Sequence, residues 1–247
     1  MPDDREIDAP VSLQGLWPDS DDSSTGSSPA GFDQGYETQS ITVAGAPLSV
    51  RQYCFHSHNA NRVWPGTFNL AEHYLTGSPP AGDLETLTSS GVRVLELGSA
   101  TGVLAMRFAL AGVEGIVTSD VADSGEVEEN IRHNFEANGL PPPRHVRHTW
   151  GEGWPSGVEN EFDVVLASDI LLYVAAYPAL VVTLKELIGG EGAGTKKFIM
   201  SWNRRMEESK EFFKMCEEGG FRVRHLGKCV YEFVVIKEGE GEKEEGT

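Results

Sequence analysis

The chain has 247 residues, which is enough for one α/β domain with a large buried core. Its net charge of -18 disfavours nucleic acid as a partner, because a phosphate backbone attracts a basic surface. The three cysteines form no CxxC pair and no apolar run approaches the roughly 20 residues of a membrane span, so the sequence argues against a zinc scaffold and a membrane-spanning protein.

Both ends of the chain are acidic. Residues 1–40 hold nine acids and one arginine, and residues 236–247 hold five glutamates and two lysines. Such segments bury too little apolar area to offset the entropy of ordering, so we expect disordered tails at 1–38 and 237–247. The first residues lack the apolar core of a secretory signal. We therefore expect a cytoplasmic protein, with the nucleus as the alternative.

An N-terminal extension is expected over residues 39–90. Residues 39–55 alternate apolar and polar side chains, which predicts a β-hairpin. A helix is predicted to begin after Trp64. The pair His56 and His58 resembles two metal ligands, but no third ligand stands at a recognisable spacing. A turn is the better interpretation, and no metal site is expected.

From residue 91 to 236, strands and helices alternate along the chain. This pattern predicts an α/β fold, a Rossmann-like doubly wound sheet of seven strands, mostly parallel with an antiparallel final strand. Strands are predicted at 92–97, 115–119, 145–150, 162–168, 197–202, 221–226 and 230–236, and helices at 102–110, 125–138, 178–188 and 207–218.

The most informative stretch is the turn after the strand 92–97, with the sequence Gly98-Ser99-Ala100-Thr101-Gly102. The next strand runs into Asp120. Small residues let a ligand approach the backbone, and a carboxylate can accept hydrogen bonds from two ribose hydroxyls. Taken alone, such a turn also occurs in plain strand-to-helix connections. Glu96 favours a cofactor with a cationic amine, because it would repel a pyrophosphate. S-adenosylmethionine carries a sulfonium, an ammonium and a ribose, and no phosphate.

At these positions the sequence resembles the class I, seven-stranded S-adenosylmethionine-dependent methyltransferases. A narrower resemblance, over residues 40–236, is to lysine methyltransferase family 16. The blocks that carry it are Val63–Gly66 with Leu70-Ala71, Leu95–Gly102, Ser119-Asp120, Asn130–Asn134 with Asn138-Gly139, Trp150-Gly151 and Phe162–Asp169. The resemblance implies methyl transfer from S-adenosylmethionine to a lysine of a protein substrate.

The resemblance also implies which residues surround the cofactor. These residues are Trp64, Gly98, Ser99, Ala100, Asp120, Trp150 and Ser168. Glu96, in the strand before the turn, and Gly102, at the end of the turn, are expected to join them. Asp120 would hold the ribose diol, and Trp150 would stack on or beside the adenine. Backbone N–H groups after Trp64 would face the methionine carboxylate. Two alternatives stay open: Trp150 as an aromatic covering the sheet, and Trp64 as a packing residue of its helix.

The acceptor side is expected at Asp169, which ends the fourth strand of the sheet. Family members carry an aromatic residue three positions after this acid, whereas here Leu172 holds that position and Tyr173 follows it. We expect Asp169 to accept hydrogen bonds from the incoming amine and Tyr173 to line the channel. The alternatives are a purely structural Asp169 and a Tyr173 that lies outside the site.

Three functions are compatible with the sequence. The first is a protein-lysine methyltransferase that acts as a monomer on a protein substrate. The second is a small-molecule N-methyltransferase, since the fold does not determine the substrate. The third is a cofactor-binding interaction protein with little transferase activity.

Overall fold

The structure of the protein is a computed structural model that describes residues 35–76, 82–158, 160–202 and 207–236. All of them belong to the unit Gln34–Thr247. The predicted tails lie outside the described residues, apart from residues 35–38. None of the described helices has the length and apolar character needed to cross a bilayer.

Two sheets and six α-helices form the described part of the chain. The strands are β1 Tyr36–Val43, β2 Ala46–Tyr53, β3 Val94–Leu97, β4 Val117–Asp120, β5 Arg144–Arg147, β6 Val164–Ser168, β7 Lys197–Ser201, β8 Phe221–Gly227 and β9 Val230–Val235. The helices are α1 Pro65–Leu75, α2 Leu84–Thr88, α3 Val103–Ala109, α4 Gly125–Ala137, α5 Tyr177–Ile188 and α6 Ser209–Glu218.

Seven strands form the main sheet in the order β5-β4-β3-β6-β7-β9-β8. Strands β3 to β7 are parallel, and β9 pairs antiparallel with both β7 and β8. The prediction of a mostly parallel, doubly wound sheet with an antiparallel end is confirmed. The strand order reverses between β3 and β6, so the carboxyl ends of β3, β4 and β6 meet at the crevice where such sheets bind ligands.

The two faces of the sheet are covered by different helices. Because side chains alternate along a strand, Val94 packs with α1, α3 and α4, whereas Leu95 packs with α5 and α6. Strand β6 is buried at every position, which agrees with its uninterrupted apolar sequence. Helices on both faces thus hold the central strand ends in place.

The hairpin β1–β2 docks on α4 through asparagine side chains. Asn134 Oδ1 accepts a hydrogen bond from the N–H of Arg51 at 2.8 Å, and its Nδ2 donates to the carbonyls of Arg51 and Thr101 at 3.2 and 3.0 Å. Asn138 likewise pairs with both backbone groups of Ser49. Asn130 Oδ1 accepts from Arg51 Nε at 2.7 Å. The side-chain amides of Asn134 and Asn138 thus supply the hydrogen-bond partners that a neighbouring strand would give to this edge of β2.

The structure corrects the predicted limits of several elements. β1 begins at Tyr36, inside the segment predicted to be a tail, because Tyr36 packs edge-on against Tyr53 and beneath the guanidinium of Arg51. The short helix α2 was not predicted from the pattern; Asp83 caps it by accepting the N–H of Thr86.

We expect the Asn134→Asp variant to lose about 2–4 kcal/mol of unfolding free energy. A carboxyl group keeps the acceptor for Arg51 but removes both donors of the amide. The carbonyl of Thr101 loses this bond, the carbonyl of Arg51 keeps only the bond from Asn130 Nδ2 at 3.2 Å, and the new carboxyl must itself be buried. Urea unfolding measures the change. The exposed Asn160→Asp is the matched control, with an expected change below about 0.5 kcal/mol. Equal stability of the two variants would contradict the docking role of Asn134.

Candidate functional site

The segment Gly98–Gly102, the glycine turn, requires small residues. Gly98, Ala100 and Gly102 have left-handed φ values of 71°, 46° and 73°. A Cβ on Gly98 would lie 2.8 Å from Cγ2 of Ile170, and one on Gly102 would lie 3.0 Å from Cγ2 of Ile131. The turn is therefore pressed between the segment after β6 and helix α4, and larger side chains would displace both.

Ser99 fastens the glycine turn to the end of β4. The N–H groups of Gly98 and Ser99 both donate to the carbonyl of Ser119, at 2.8 and 3.0 Å. The Ser99 hydroxyl donates to the carbonyl of Glu96 at 2.8 Å and accepts from the N–H of Ser119 at 3.1 Å. Since Ser99 is buried, its hydroxyl serves the turn itself.

Asp120 lies at the carboxyl end of β4 and is partly exposed. Its Oδ2 accepts the N–H of Ala100 at 2.8 Å, and its Oδ1 accepts the N–H of Val121 at 2.9 Å. A carboxylate has about four acceptor positions, so these two bonds orient the group and leave positions for a pair of ligand hydroxyls. Two such positions match the two hydroxyls of a ribose diol.

Glu96 is a buried acid beneath the glycine turn. Its Oε2 accepts the N–H of Ala105 in the first turn of α3 at 3.0 Å. Burial raises the pKa of Glu96 to about 8, with the nearby charge of Asp120 adding to the rise. A cationic ligand group beside this carboxyl would favour its ionised form, which is the chemistry expected for the ammonium of the cofactor.

The two tryptophans occupy different positions in the site. Trp150 is half-buried beside the glycine turn, with Cζ2 3.9 Å from the position of a Cβ on Gly98. Trp64 precedes α1, and its Nε1 donates to the carbonyl of Asn59 at 3.0 Å while Arg62 lies over its ring. The start of α1 differs from the sequence-based expectation, because its first amides already have partners within the protein.

Those partners are on the acceptor side. The N–H of Gly66 donates to Asp169 Oδ2 at 2.6 Å, and the N–H of Thr67 donates to the carbonyl of Trp64 at 3.0 Å. Asp169 is 3% exposed and has a left-handed φ of 51°. Through its bond to Gly66 it caps α1, a helix more than 100 positions earlier in the chain. Ser168 shares a hydrogen bond of 3.0 Å with the hydroxyl of Thr67.

Tyr173 does not lie with these buried groups. Its side chain is half exposed, and its hydroxyl accepts a hydrogen bond from Nδ2 of Asn59 at 2.5 Å. Sequence reasoning missed Asn59, Thr67 and Ile170 as neighbours of the site. Only Thr67 carried a usable signal, a hydroxyl in the first turn of the helix that begins after Trp64.

The residues of this crevice fit S-adenosylmethionine. The glycine turn offers a close backbone approach, Asp120 offers acceptors for a diol, Glu96 offers a carboxyl for an ammonium, and Trp150 lies beside the turn at the position expected for an adenine contact. Within the described residues, no three His, Cys, Asp or Glu side chains are grouped as a metal site would require.

Comparison with known proteins agrees with this geometry. Residues 43–219 match a family described as lysine methyltransferase. The chain belongs to this family. It is a class I S-adenosylmethionine-dependent methyltransferase, and the sequence-based predictions of family and cofactor are confirmed.

Several curated proteins are similar to the chain. Protein-lysine N-methyltransferase EFM3 of Chaetomium thermophilum is 36% identical over 174 residues, which cover 66% of this chain but only 48% of that protein. The chain thus spans about half the length of this relative. EEF1A lysine methyltransferase 3 of Xenopus tropicalis is 29% identical over 188 residues, covering 74% of this chain and 76% of that protein.

A solved structure supports the fold. The Thermus thermophilus 16S rRNA N2 G1207 methyltransferase, in complex with AdoMet and guanosine, superposes with a TM-score of 0.53. It is 20% identical in sequence, and the match covers 82% of this chain and 50% of that one. At this identity the likeness shows the shared architecture alone.

We expect the Asp120→Ala variant to bind S-adenosylhomocysteine, the demethylated product, roughly 100-fold more weakly, because two charge-assisted hydrogen bonds to the ribose are lost. Isothermal titration calorimetry measures the affinity. Glu114→Gln, an exposed acid before the same strand, is the control and should bind like the unaltered chain. Unchanged binding by Asp120→Ala would refute the ribose assignment.

The raised pKa of Glu96 predicts a pH-dependent stability. In the folded chain the carboxyl of Glu96 has a pKa of about 8, against 4.5 for an unperturbed carboxyl. The contribution of protonated Glu96 to the free energy of unfolding is therefore complete below pH 4.5 and is lost as the pH rises through 8. Gln keeps an acceptor for the N–H of Ala105 and cannot ionise. The unfolding free energy of Glu96→Gln relative to the unaltered chain should therefore rise by roughly 2–3 kcal/mol between pH 6 and 9.

Urea unfolding of the cofactor-free protein at the two pH values measures this difference. Glu114→Gln again serves as the control, because its carboxyl is exposed and removing it should give a difference independent of pH. A flat difference for Glu96→Gln would show that Glu96 is ionised in the folded chain.

Proposed function

We propose that the chain methylates a lysine side chain of a protein, and that the lysine enters beside Asp169 at the carboxyl end of β6. One observation carries the proposal: the segment after β6 lies directly against the glycine turn, with Ile170 touching the position of a Cβ on Gly98. The residues that follow Asp169 therefore border the space that the cofactor occupies. An amine held by Asp169 stands next to a methyl group in that space.

Methyl transfer to an amine is a direct displacement that makes few demands on side-chain chemistry. The bound cofactor supplies an electrophilic methyl group on a sulfonium. The protein must align a neutral amine with that methyl group, and desolvation of the lysine lowers its pKa toward the neutral form. Burial of Asp169 and Ser168 at the strand end supports both tasks, because it excludes water from the place where the amine is held.

Asp169 has two roles in this proposal. One oxygen caps α1 through Gly66, and the carboxylate orients the N–H bonds of the amine so that its lone pair faces the methyl group. The same hydrogen bond that positions α1 also holds the carboxylate in a fixed orientation. Capping and amine binding are thus compatible in one side chain.

The acceptor is proposed to be a protein because the family and the similar proteins carry that description. EEF1A, named by the Xenopus relative, is the first acceptor to test. The half-exposed Tyr173 agrees with an acceptor that approaches from the surface, since it places the end of the post-β6 segment at the rim of the site.

The experiment supplies an isotopically labelled methyl donor to the purified chain with a cell extract, and separately with purified EEF1A. We expect label on a lysine identified by mass spectrometry. Asp169→Asn should keep the cap on Gly66 and lower the transfer rate roughly 10- to 100-fold, because a bond to a charged acceptor is lost. Its affinity for S-adenosylhomocysteine should stay unchanged.

Asp163→Asn is the matched control, since Asp163 precedes the same strand at its other end. It should transfer methyl groups at the normal rate. Full activity of Asp169→Asn would remove Asp169 from the reaction. Label found only in the small-molecule fraction would instead overturn the protein acceptor.

A further inference from the structure

The connection between β2 and α1, residues 54–64, has no part in the methyl transfer proposed above, and only Trp64 in it was predicted to lie beside the cofactor. We call these residues the strap. The strap leaves the hairpin at Tyr53 and forms a tight turn, in which the N–H of Asn59 donates to the carbonyl of His56 at 3.1 Å and the N–H of His58 donates to His56 Nδ1 at 3.2 Å.

One side of the strap is tied to the start of α4. His58 Nδ1 lies 3.3 Å from the hydroxyl of Ser124, and His56 Nε2 lies 3.4 Å from Oε1 of Glu126. Ser124 is the residue before α4 and is buried. These contacts are made by the segment that follows Asp120, on the ribose side of the crevice.

The other side of the strap is tied to the segment after β6. Asn59 donates through Nδ2 to the hydroxyl of Tyr173 at 2.5 Å, while its carbonyl accepts from Trp64 Nε1 at 3.0 Å. Asn59 adopts a left-handed φ of 59°, a conformation that Asn tolerates better than most residues. This contact is on the acceptor side of the crevice.

The sheet order shows what lies between the two ties. β4 and β6 are the two neighbours of β3, and the glycine turn follows β3. Neighbouring strands are about 4.8 Å apart, so the ends of β4 and β6 are separated by about 10 Å. His58 and Asn59 are consecutive residues and contact segments that follow these two strands. The strap therefore bridges the segments that lie on either side of the glycine turn.

We propose that the strap closes over the bound cofactor, and that the hydrogen bond between Asn59 and Tyr173 is the fastening that opens when the cofactor is exchanged. Tyr173 is then a positioning residue for the strap. The proposal concerns cofactor exchange and rests on the cofactor site alone, so it does not depend on a lysine acceptor.

The experiment measures the dissociation rate of S-adenosylhomocysteine by stopped-flow fluorescence in Tyr173→Phe, Asn59→Gly and the double variant. Glycine replaces Asn59 because the backbone there is left-handed. We expect each single variant to release the product about fivefold faster, as loss of one neutral hydrogen bond predicts. The double variant should be no faster than the faster single variant, because both changes remove the same bond.

A second measurement needs no cofactor. Amide hydrogen exchange of residues 55–63 should be faster in Tyr173→Phe than in the unaltered chain, because local opening exposes these amides. Tyr231→Phe on β9, where the ring packs against Phe213 and His225, is the matched control and should change neither rate. A dissociation rate within twofold of the unaltered chain for both single variants would overturn the proposal, as would rate increases that multiply in the double variant.

The two proposals fail separately. If lysine methylation is absent while the variants release the product faster, the proposed function is wrong and the strap proposal remains supported. If methylation occurs and the variants release the product at the normal rate, the strap proposal is wrong and the proposed function remains supported.

Discussion

The edge of β2 is the constraint on which the arrangement of the site depends. A strand edge presents N–H and carbonyl groups that must find partners when they are buried. Asn134 and Asn138 supply both kinds of partner, at Arg51 and Ser49, and Asn134 also binds the carbonyl of Thr101 in the glycine turn. One helix face thus fixes the hairpin and the turn in one register. Because the strap leaves the same strand, its starting point is fixed as well.

The acids of the crevice combine structural roles with the ligand-binding roles that we propose for them. Asp120 and Asp169 each accept a backbone N–H from a distant element, Ala100 in the glycine turn and Gly66 at the start of α1. Such bonds orient a carboxylate before a ligand arrives, which lowers the cost of ordering it on binding. Glu96 differs because it is buried and its pKa is raised, so a cation is needed to favour its charge at neutral pH. These properties agree with the proposed ligand, which carries a diol and an ammonium.

The sheet and the glycine turn were predictable because their signals are local. Apolar runs gave the buried strands, and the spacing from Gly98 to Asp120 indicated the cofactor crevice. The contacts of the strap and the docking of β2 on the asparagines of α4 were not predictable, because they join residues that are 66 to 114 positions apart. Asn130, Asn134 and Asn138 repeat every four residues beside the apolar stripe of α4, and the sequence does not say which backbone they meet. The cap on α1 has the same character: Asp169 and Gly66 are 103 positions apart.

The position of Tyr173 illustrates how a one-residue displacement changes a role. In the family pattern the aromatic is three positions after the acid, whereas here Leu172 occupies that place. The chain at Tyr173 is extended, with φ -130° and ψ 116°, and consecutive side chains of an extended segment point to opposite sides. Leu172, at the family position, is partly buried, whereas the next side chain, Tyr173, is half exposed. The displacement turns the aromatic toward the surface, where its hydroxyl meets Asn59. A side chain predicted to line the acceptor channel is thereby placed to hold the strap over the cofactor.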